Sequence, residues 1–119
     1  MKASEVIIKA RSLIEAGWTQ GASARDKHGA RKNIRDDNAT HFCALGAVNR
    51  VLYKVEMTEE EWVKLRHRVV QHLGNAMNAK RDELGSGIVT WNDRSDTTKE
   101  DVLHAFSVAL DQADHQTEV

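Results

Sequence analysis

The only cysteine of the chain, Cys43, lies in the run Phe42-Cys43-Ala44-Leu45-Gly46-Ala47, where an apolar stretch and two small residues meet at the start of a helical pattern. A thiol in the first turn of a helix is placed where the helix dipole favours the thiolate. With a histidine as base and an Asn or Asp to orient it, such a thiol is a nucleophile. The residue types exist: His41 or His104 as base, Asn92 or Asp93 as orienter. The spacing speaks against the assembly. On a helix His41 would point to a different face from Cys43, and no strand-to-helix elbow accompanies the cysteine. A free cysteine between Phe42 and Ala44-Leu45 behaves as a small buried hydrophobe. Catalysis is therefore not expected, and Cys43 is the one candidate for it. One cysteine with scattered histidines offers no paired-ligand spacing, so neither a metal nor another cofactor is expected. His67 and His72 are five apart and read as surface or boundary residues.

A second group of residues has the chemistry of a binding site. The segments 17–26 and 90–97 combine aromatics, amides, carboxylates and turn residues outside the main helical patterns. Their candidates are Trp18, Gln20 and Arg25 on one side and Trp91, Asn92 and Asp93 on the other. Arg25 is the natural clamp for an anion, with Asp93 as its internal competitor for an ion pair. Asn92 and Asp93 read first as turn-fixing side chains, because Asn and Asp before a helix commonly accept nearby backbone N–H groups. Trp18 and Trp91 read as lids on the core whose indole N–H groups need a polar partner at its edge. Any ligand contact is expected to use Gln20, Arg25, Asn92 and Asp93 together, which requires the two segments to meet beside the start of the central helix.

The elements that must position these groups follow from periodicity. Ala3, Val6, Ile7, Ala10, Leu13 and Ile14 make a helix over 3–16, started near Ser4 and stopped by a left-handed Gly17. Thr40 reads as the cap of a central helix over 41–55 with the stripe Leu45, Val48, Leu52 and Val55; Gly46 and Ala47 within it suit the close approach of another backbone. Thr58 and Glu61 form a capping box that opens a helix over 59–83, and Trp62, Leu65, Val69, Leu73 and Met77 are its buried stripe. Gly85-Ser86-Gly87 is a break, Ile88 to Asp93 an extended run, and Thr97 with Glu100 caps a last helix over 98–113, with residues 114–119 frayed. Between the first two helices a tight turn at Asp26–Gly29 would allow a small ribbon, 22–25 with 30–33. The expected fold is mainly α: a single domain over 1–119, of about four helices around the central one, with at most that ribbon in 20–35.

Composition narrows the function class. The 119 residues suffice for one hydrophobic core, and 40% apolar with 29% charged residues is ordinary for a globular protein. Seventeen basic against eighteen acidic side chains leave no overall positive field. Arg25, Lys27, His28, Arg31, Lys32 and Arg35 form a local basic segment without an aromatic ladder, so nucleic acid is not the expected partner. The lone cysteine favours a reducing compartment, no apolar run reaches membrane-span length, and the first residues lack a signal-peptide core. A cytoplasmic, non-membrane protein is expected.

Three motifs in order, Gly17-Trp18-Thr19-Gln20-Gly21-Ala22 with Ala24-Arg25-Asp26, Cys43-Ala44-Leu45-Gly46-Ala47, and Trp91-Asn92-Asp93 followed by Thr97, Thr98 and Val102-Leu103, resemble a small family of bacterial and phage proteins of unknown function. Departures from the family pattern fall at Phe42, where a tryptophan is common, at Ser23, where an aromatic is, and at Arg94-Ser95, where Pro-Gly is. The resemblance implies a shared fold and carries over no activity. The function expected is a small intracellular binding or regulatory module, a bacterial or phage accessory protein acting through a protein partner. The alternative is a small enzyme or ligand-binding domain with its pocket around Cys43, Trp91, Asn92 and Asp93.

Overall fold

The structure, a computed structural model, describes residues 1–79 and 85–115. Among them five helices form the body: α1 (Ala3–Ala16), α2 (Ala44–Tyr53), α3 (Glu59–Met77), α4 (Ser86–Asn92) and α5 (Lys99–His115). A two-stranded antiparallel ribbon, β1 (Ala24–Arg25) with β2 (His41–Phe42), lies between α1 and α2 in sequence. The mainly α architecture is as expected, and the radius of gyration of 13.2 Å matches the roughly 13.5 Å of a single compact globule of this length.

The helical stripes account for the packing. α1 lies against α2, α3 and α5, α3 lies against α5, and α4 touches both α2 and α3. Val6, Ile7, Ala10 and Ile14 of α1, Val48 and Leu52 of α2, Leu65, Val69 and Leu73 of α3, and Val102, Phe106 and Ala109 of α5 are all buried in one core. Burying each large side chain of this set is worth about 1.5–3 kcal/mol. Arg11, on the outer side of α1, does more than meet solvent: its Nε donates to the Leu103 carbonyl at 3.2 Å and to Ser107 Oγ at 3.0 Å, tying α1 to α5.

Helix ends depart from the expected boundaries for local reasons. α1 is capped at Lys2, whose N–H donates to Glu5 Oε1, and not at Ser4. Gly17 is extended, φ −172°, and not left-handed; a Cβ there would run into the Thr40 carbonyl, so glycine is needed for close approach. α2 starts three residues later than expected, because His41–Phe42 is drawn into a strand. Phe42 donates to the Gly17 carbonyl and accepts from Thr19 N–H, both at 3.1 Å, and pairs with Ala24 on its other side. Cys43, not Thr40, is the N-cap. Gly46 behaves as its residue type suggests: a Cβ would collide with the Ser23 carbonyl, so the backbone of the 17–25 segment rests directly on the first turn of α2. The Asp26–Gly29 turn forms with Gly29 at φ 85°, but the expected partner strand contributes only a bridge, Arg25 with Arg31, and β1 pairs with β2 instead.

The second half holds the larger corrections. The Thr58–Glu61 box forms reciprocally, Glu61 N–H to Thr58 Oγ1 at 3.1 Å and Thr58 N–H to Glu61 Oε1 at 3.2 Å. These bonds to Thr58 hold the Glu61 carboxyl below the ordinary range. α3 ends at Met77 because Asn78 turns left-handed, φ 52°, and closes the last turn on Gly74 and Asn75 carbonyls. Residues 80–83 of the expected helix lie outside the described residues, as do 116–119 of the tail. The extended run expected at 88–93 is instead α4. Ile88 and Asn92, four apart and both buried, share a helix face, and the demand for both to face inward overrides the β-preference of Ile88-Val89. Residue pairing at the head of α5 is shifted by one: Thr98 and Asp101 exchange the capping bonds, at 2.9 and 3.1 Å, while the Thr97 hydroxyl donates to the Trp91 carbonyl at 2.8 Å. His72, read as a surface or boundary residue, is buried, and its Nδ1 has no hydrogen-bond partner.

Candidate functional site

The two polar segments do meet beside the start of α2, and Asn92 is where they meet. Its side chain is fully buried. Oδ1 accepts from the Trp18 indole N–H at 2.8 Å and from the Ala44 backbone N–H at 3.0 Å; Nδ2 donates to the Thr19 carbonyl at 3.2 Å and to Asp93 Oδ1 at 2.9 Å. Indole and backbone N–H groups can only donate and a carbonyl can only accept, so the amide has one consistent orientation. All four of its hydrogen-bonding positions are used. One side chain thus satisfies the indole of the Trp18 lid, a first-turn N–H of α2, and a carbonyl of the 17–26 segment.

Its neighbours are spent in the same way. Gln20 Nε2 donates to the Asn92 and Arg94 carbonyls, each at 2.9 Å, closing the turn after α4. Asp93 Oδ1 takes the Gly21 N–H at 3.0 Å. Of the two roles open to Arg25, an anion clamp or an ion pair with Asp93, the ion pair does not form. Arg25 donates to Thr19 Oγ1 at 3.0 Å, the Gly29 carbonyl at 3.1 Å and the Gln20 carbonyl at 3.2 Å, so the guanidinium clamps its own loop from within. Trp91 is partly buried against the core, as a lid residue would be.

Cys43 lies at the edge of this cluster. It is 3% exposed, and its Sγ accepts the Gly46 N–H at 3.2 Å, the geometry of an N-cap in which sulfur replaces the usual oxygen. Burial pushes the thiol above its ordinary range, the Gly46 N–H offsets part of this, and the Asp93 charge adds to the rise. That is the reverse of what an activated thiolate needs. His41 points its Nδ1 at Thr40 Oγ1, 2.8 Å away, and His104 stands exposed on α5; neither bonds the thiol. Among the described residues no three His, Cys, Asp or Glu side chains gather as a metal site would require, and no helix is long and apolar enough to cross a membrane.

Sequence reasoning passed over a different place. A groove of about 540 Å³ opens between the 33–35 loop, the end of α2 and the start of α3, lined by Asn33, Arg35, Asn49, Tyr53, Trp62 and Arg66 with Ile34. The Arg35 guanidinium lies 5.0 Å from the centre of the Tyr53 ring and that of Arg66 lies 5.8 Å from the Trp62 ring. Arg66 Nε also donates to Asn49 Oδ1 at 3.1 Å, and Tyr53 is 45% exposed. Trp62 and Arg66 are four apart on α3, a pairing legible in the sequence. Nothing in the sequence brings Arg35 to Tyr53. That contact depends on Arg50, whose Nη1 donates to the Ile34 and Asp36 carbonyls at 2.6 and 2.9 Å and so holds the loop to α2. On the other flank of α2 a second groove of about 380 Å³ has an apolar floor of Leu13, Val51 and Val55 and a rim of Lys9, Arg50 and Lys54.

No curated protein and no solved structure matches this chain. A family model does, over residues 1–112, and that span holds the Trp18–Asn92 cluster, the Cys43 cap and both grooves. The chain belongs to the family of unknown function DUF6197.

Proposed function

We propose that the protein is a small binding or regulatory module that acts through a protein partner, as an accessory protein of a bacterium or phage working in the cytoplasm, and that it carries out no covalent chemistry of its own. One observation supports this above the others: the side chains with catalytic or ligand-binding potential at the junction of segments 17–26 and 90–97 are consumed by the fold. Asn92 has no hydrogen-bonding position left, Arg25 is bound to three acceptors of its own loop, and Cys43 is a buried cap. The competing reading, a pocket around Cys43, Trp91, Asn92 and Asp93, would need these bonds to open before a substrate could be held.

The test joins thiol chemistry to capture. Cys43 in the native protein is expected to react with a soluble disulfide reagent more slowly than free cysteine, and the Cys43→Ala variant is expected to retain any protein partner crosslinked by the wild type. Labelling faster than free cysteine, together with a turnover lost in Cys43→Ala, would overturn the proposal in favour of an enzyme.

A further inference from the structure

The groove between α1 and the end of α2 combines an apolar floor with a rim of one sign. Val51 is buried and Leu13 and Val55 are half-buried, so the floor keeps apolar surface open to water. Lys9 and Lys54 stand exposed at its edge and Arg50 completes the rim, while the lining contains no Asp or Glu. Arg50 is held by the Ile34 and Asp36 carbonyls, at 2.6 and 2.9 Å, and lies 5.7 Å from the centre of the Phe42 ring; Lys54 Nζ lies 5.9 Å from that of Tyr53. Carbonyls and rings carry no net charge, so these contacts position the two cations without neutralising them. Among the described residues no ion pair joins Lys9, Arg50 or Lys54 to a carboxylate, that of Glu56 beside Val55 included, although the same protein pairs Arg11 with Glu15, Lys64 with Glu60 and Arg94 with Asp96 elsewhere. In a chain of formal charge −1, this is a local positive field laid along an apolar strip.

The walls of the groove decide the form of what fits it. Both are helical, with their backbone N–H groups bonded along α1 and α2. They offer no open backbone edge to which a strand could add, so a peptide seated there must satisfy its own backbone, as a helix does. We infer that this groove docks an acidic amphipathic helix of a protein partner, with its apolar stripe on Leu13, Val51 and Val55 and carboxylates flanking that stripe on Lys9 and Lys54. The inference rests on the protein-partner reading above and names the partner's chemistry. A nucleic acid fits less well, since its phosphates would meet the cations but leave the apolar floor uncovered.

The experiment selects random peptides of about fifteen residues, near the length at which an isolated helix begins to form, on the wild-type protein. Affinities of the enriched peptides are then measured for the wild type, for the double variant Lys9→Glu with Lys54→Glu, and for Lys9→Arg with Lys54→Arg, with a twelve-nucleotide oligo-dT as the nucleic-acid probe. Enriched peptides are expected to repeat apolar residues three and four apart between acidic ones, and to gain helical circular dichroism on binding. They should lose about tenfold or more in affinity on the double reversal and keep most of it on the arginine pair. The unfolding midpoint should not move, because both lysines are exposed. Replacing the peptide's acidic residues by Lys should restore binding to the double reversal over the wild type. Val55→Thr, which keeps the shape of the floor and makes it polar, should weaken the peptides about threefold or more. No enrichment, or peptides that are not acidic, that bind without gaining helix, or that bind the double reversal equally well, would overturn the docking groove while leaving the protein-partner reading in place. Tight binding of oligo-dT without peptide enrichment would overturn both. A wild-type dimer in sedimentation that the double reversal dissociates would assign the groove to a second copy and overturn the separate-partner inference.

Discussion

The junction around Asn92 and the Arg35–Tyr53 side of the neighbouring groove each set an aromatic beside an arginine, and use them oppositely. At the junction the aromatic's polar atom, the amide and the arginine all point inward: Trp18 to Asn92, Asn92 to four partners, Arg25 to three. In the groove Arg35 and Tyr53 are both exposed and face each other across the surface. The difference shows that residue type does not mark a site. What marks it is whether the fold has already taken up the hydrogen-bonding capacity of the groups involved. A buried amide with every position filled is a structural fastener, and the energy it returns is the cost avoided of leaving its partners bare.

The strongest way to break this comparison is to remove the fastener. Asn92→Leu keeps much of the volume but strands the Trp18 indole N–H, the Ala44 N–H and the Thr19 carbonyl. At about 1–3 kcal/mol for each buried group left unpaired, the total loss should reach about 3–5 kcal/mol in urea unfolding. A loss below about 1 kcal/mol would mean that water replaces the amide readily and that the junction is open enough to admit a ligand.

Cys43 should show a smaller, pH-dependent effect. Cys43→Ala removes the cap acceptor for Gly46 and should cost about 1 kcal/mol, and Cys43→Ser, which restores a better acceptor, should lie closer to the wild type than alanine does. The folded thiol titrates above its unfolded value, so the unfolded chain gives up that proton first. Stability from this group is complete below about pH 8.5 and falls as pH rises beyond it. Unfolding curves taken across that range should show the decline in the wild type and not in Cys43→Ser. A wild-type stability that rises through the same interval would reverse the assigned direction.

Helical periodicity made most of the fold legible. The stripes of α1, α3 and α5 are buried much as their spacing dictates, and Gly46 pointed to the close approach of another backbone, though not to Ser23 as its source. What could not be read depended on non-local partners. His41-Phe42 left the helix because Gly17, Thr19 and Ala24 offered strand hydrogen bonds, and Ile88–Asn92 became helical because Asn92 had to reach Ala44 and Trp18. The candidate site was legible as a meeting of two segments. It was not legible as a saturated one, since the sequence of Trp18-Thr19-Gln20 and Asn92-Asp93 gives residue types but not how many partners each finds.

The most sensitive form of the comparison uses two arginines ten residues apart in the same basic segment, Arg25 and Arg35, of which the sequence singled out Arg25 as the clamp for an anion. Arg25 is partly buried with three acceptors, whereas Arg35 is exposed and held by the Tyr53 ring. Arg25→Ala should cost about 1–2 kcal/mol, because the loss exposes the Thr19, Gln20 and Gly29 acceptors only partly to water. Arg35→Ala forfeits a cation–π contact at an exposed site and the entropy cost of fixing a long side chain is returned, so its effect should stay within about 0.5 kcal/mol. Equal losses for the two would mean that Arg35 is also a fastener, and its guanidinium would then not be available to a partner. A near-neutral Arg35→Ala beside a costly Arg25→Ala places the structural role at one arginine and leaves the other free to be read as part of a surface.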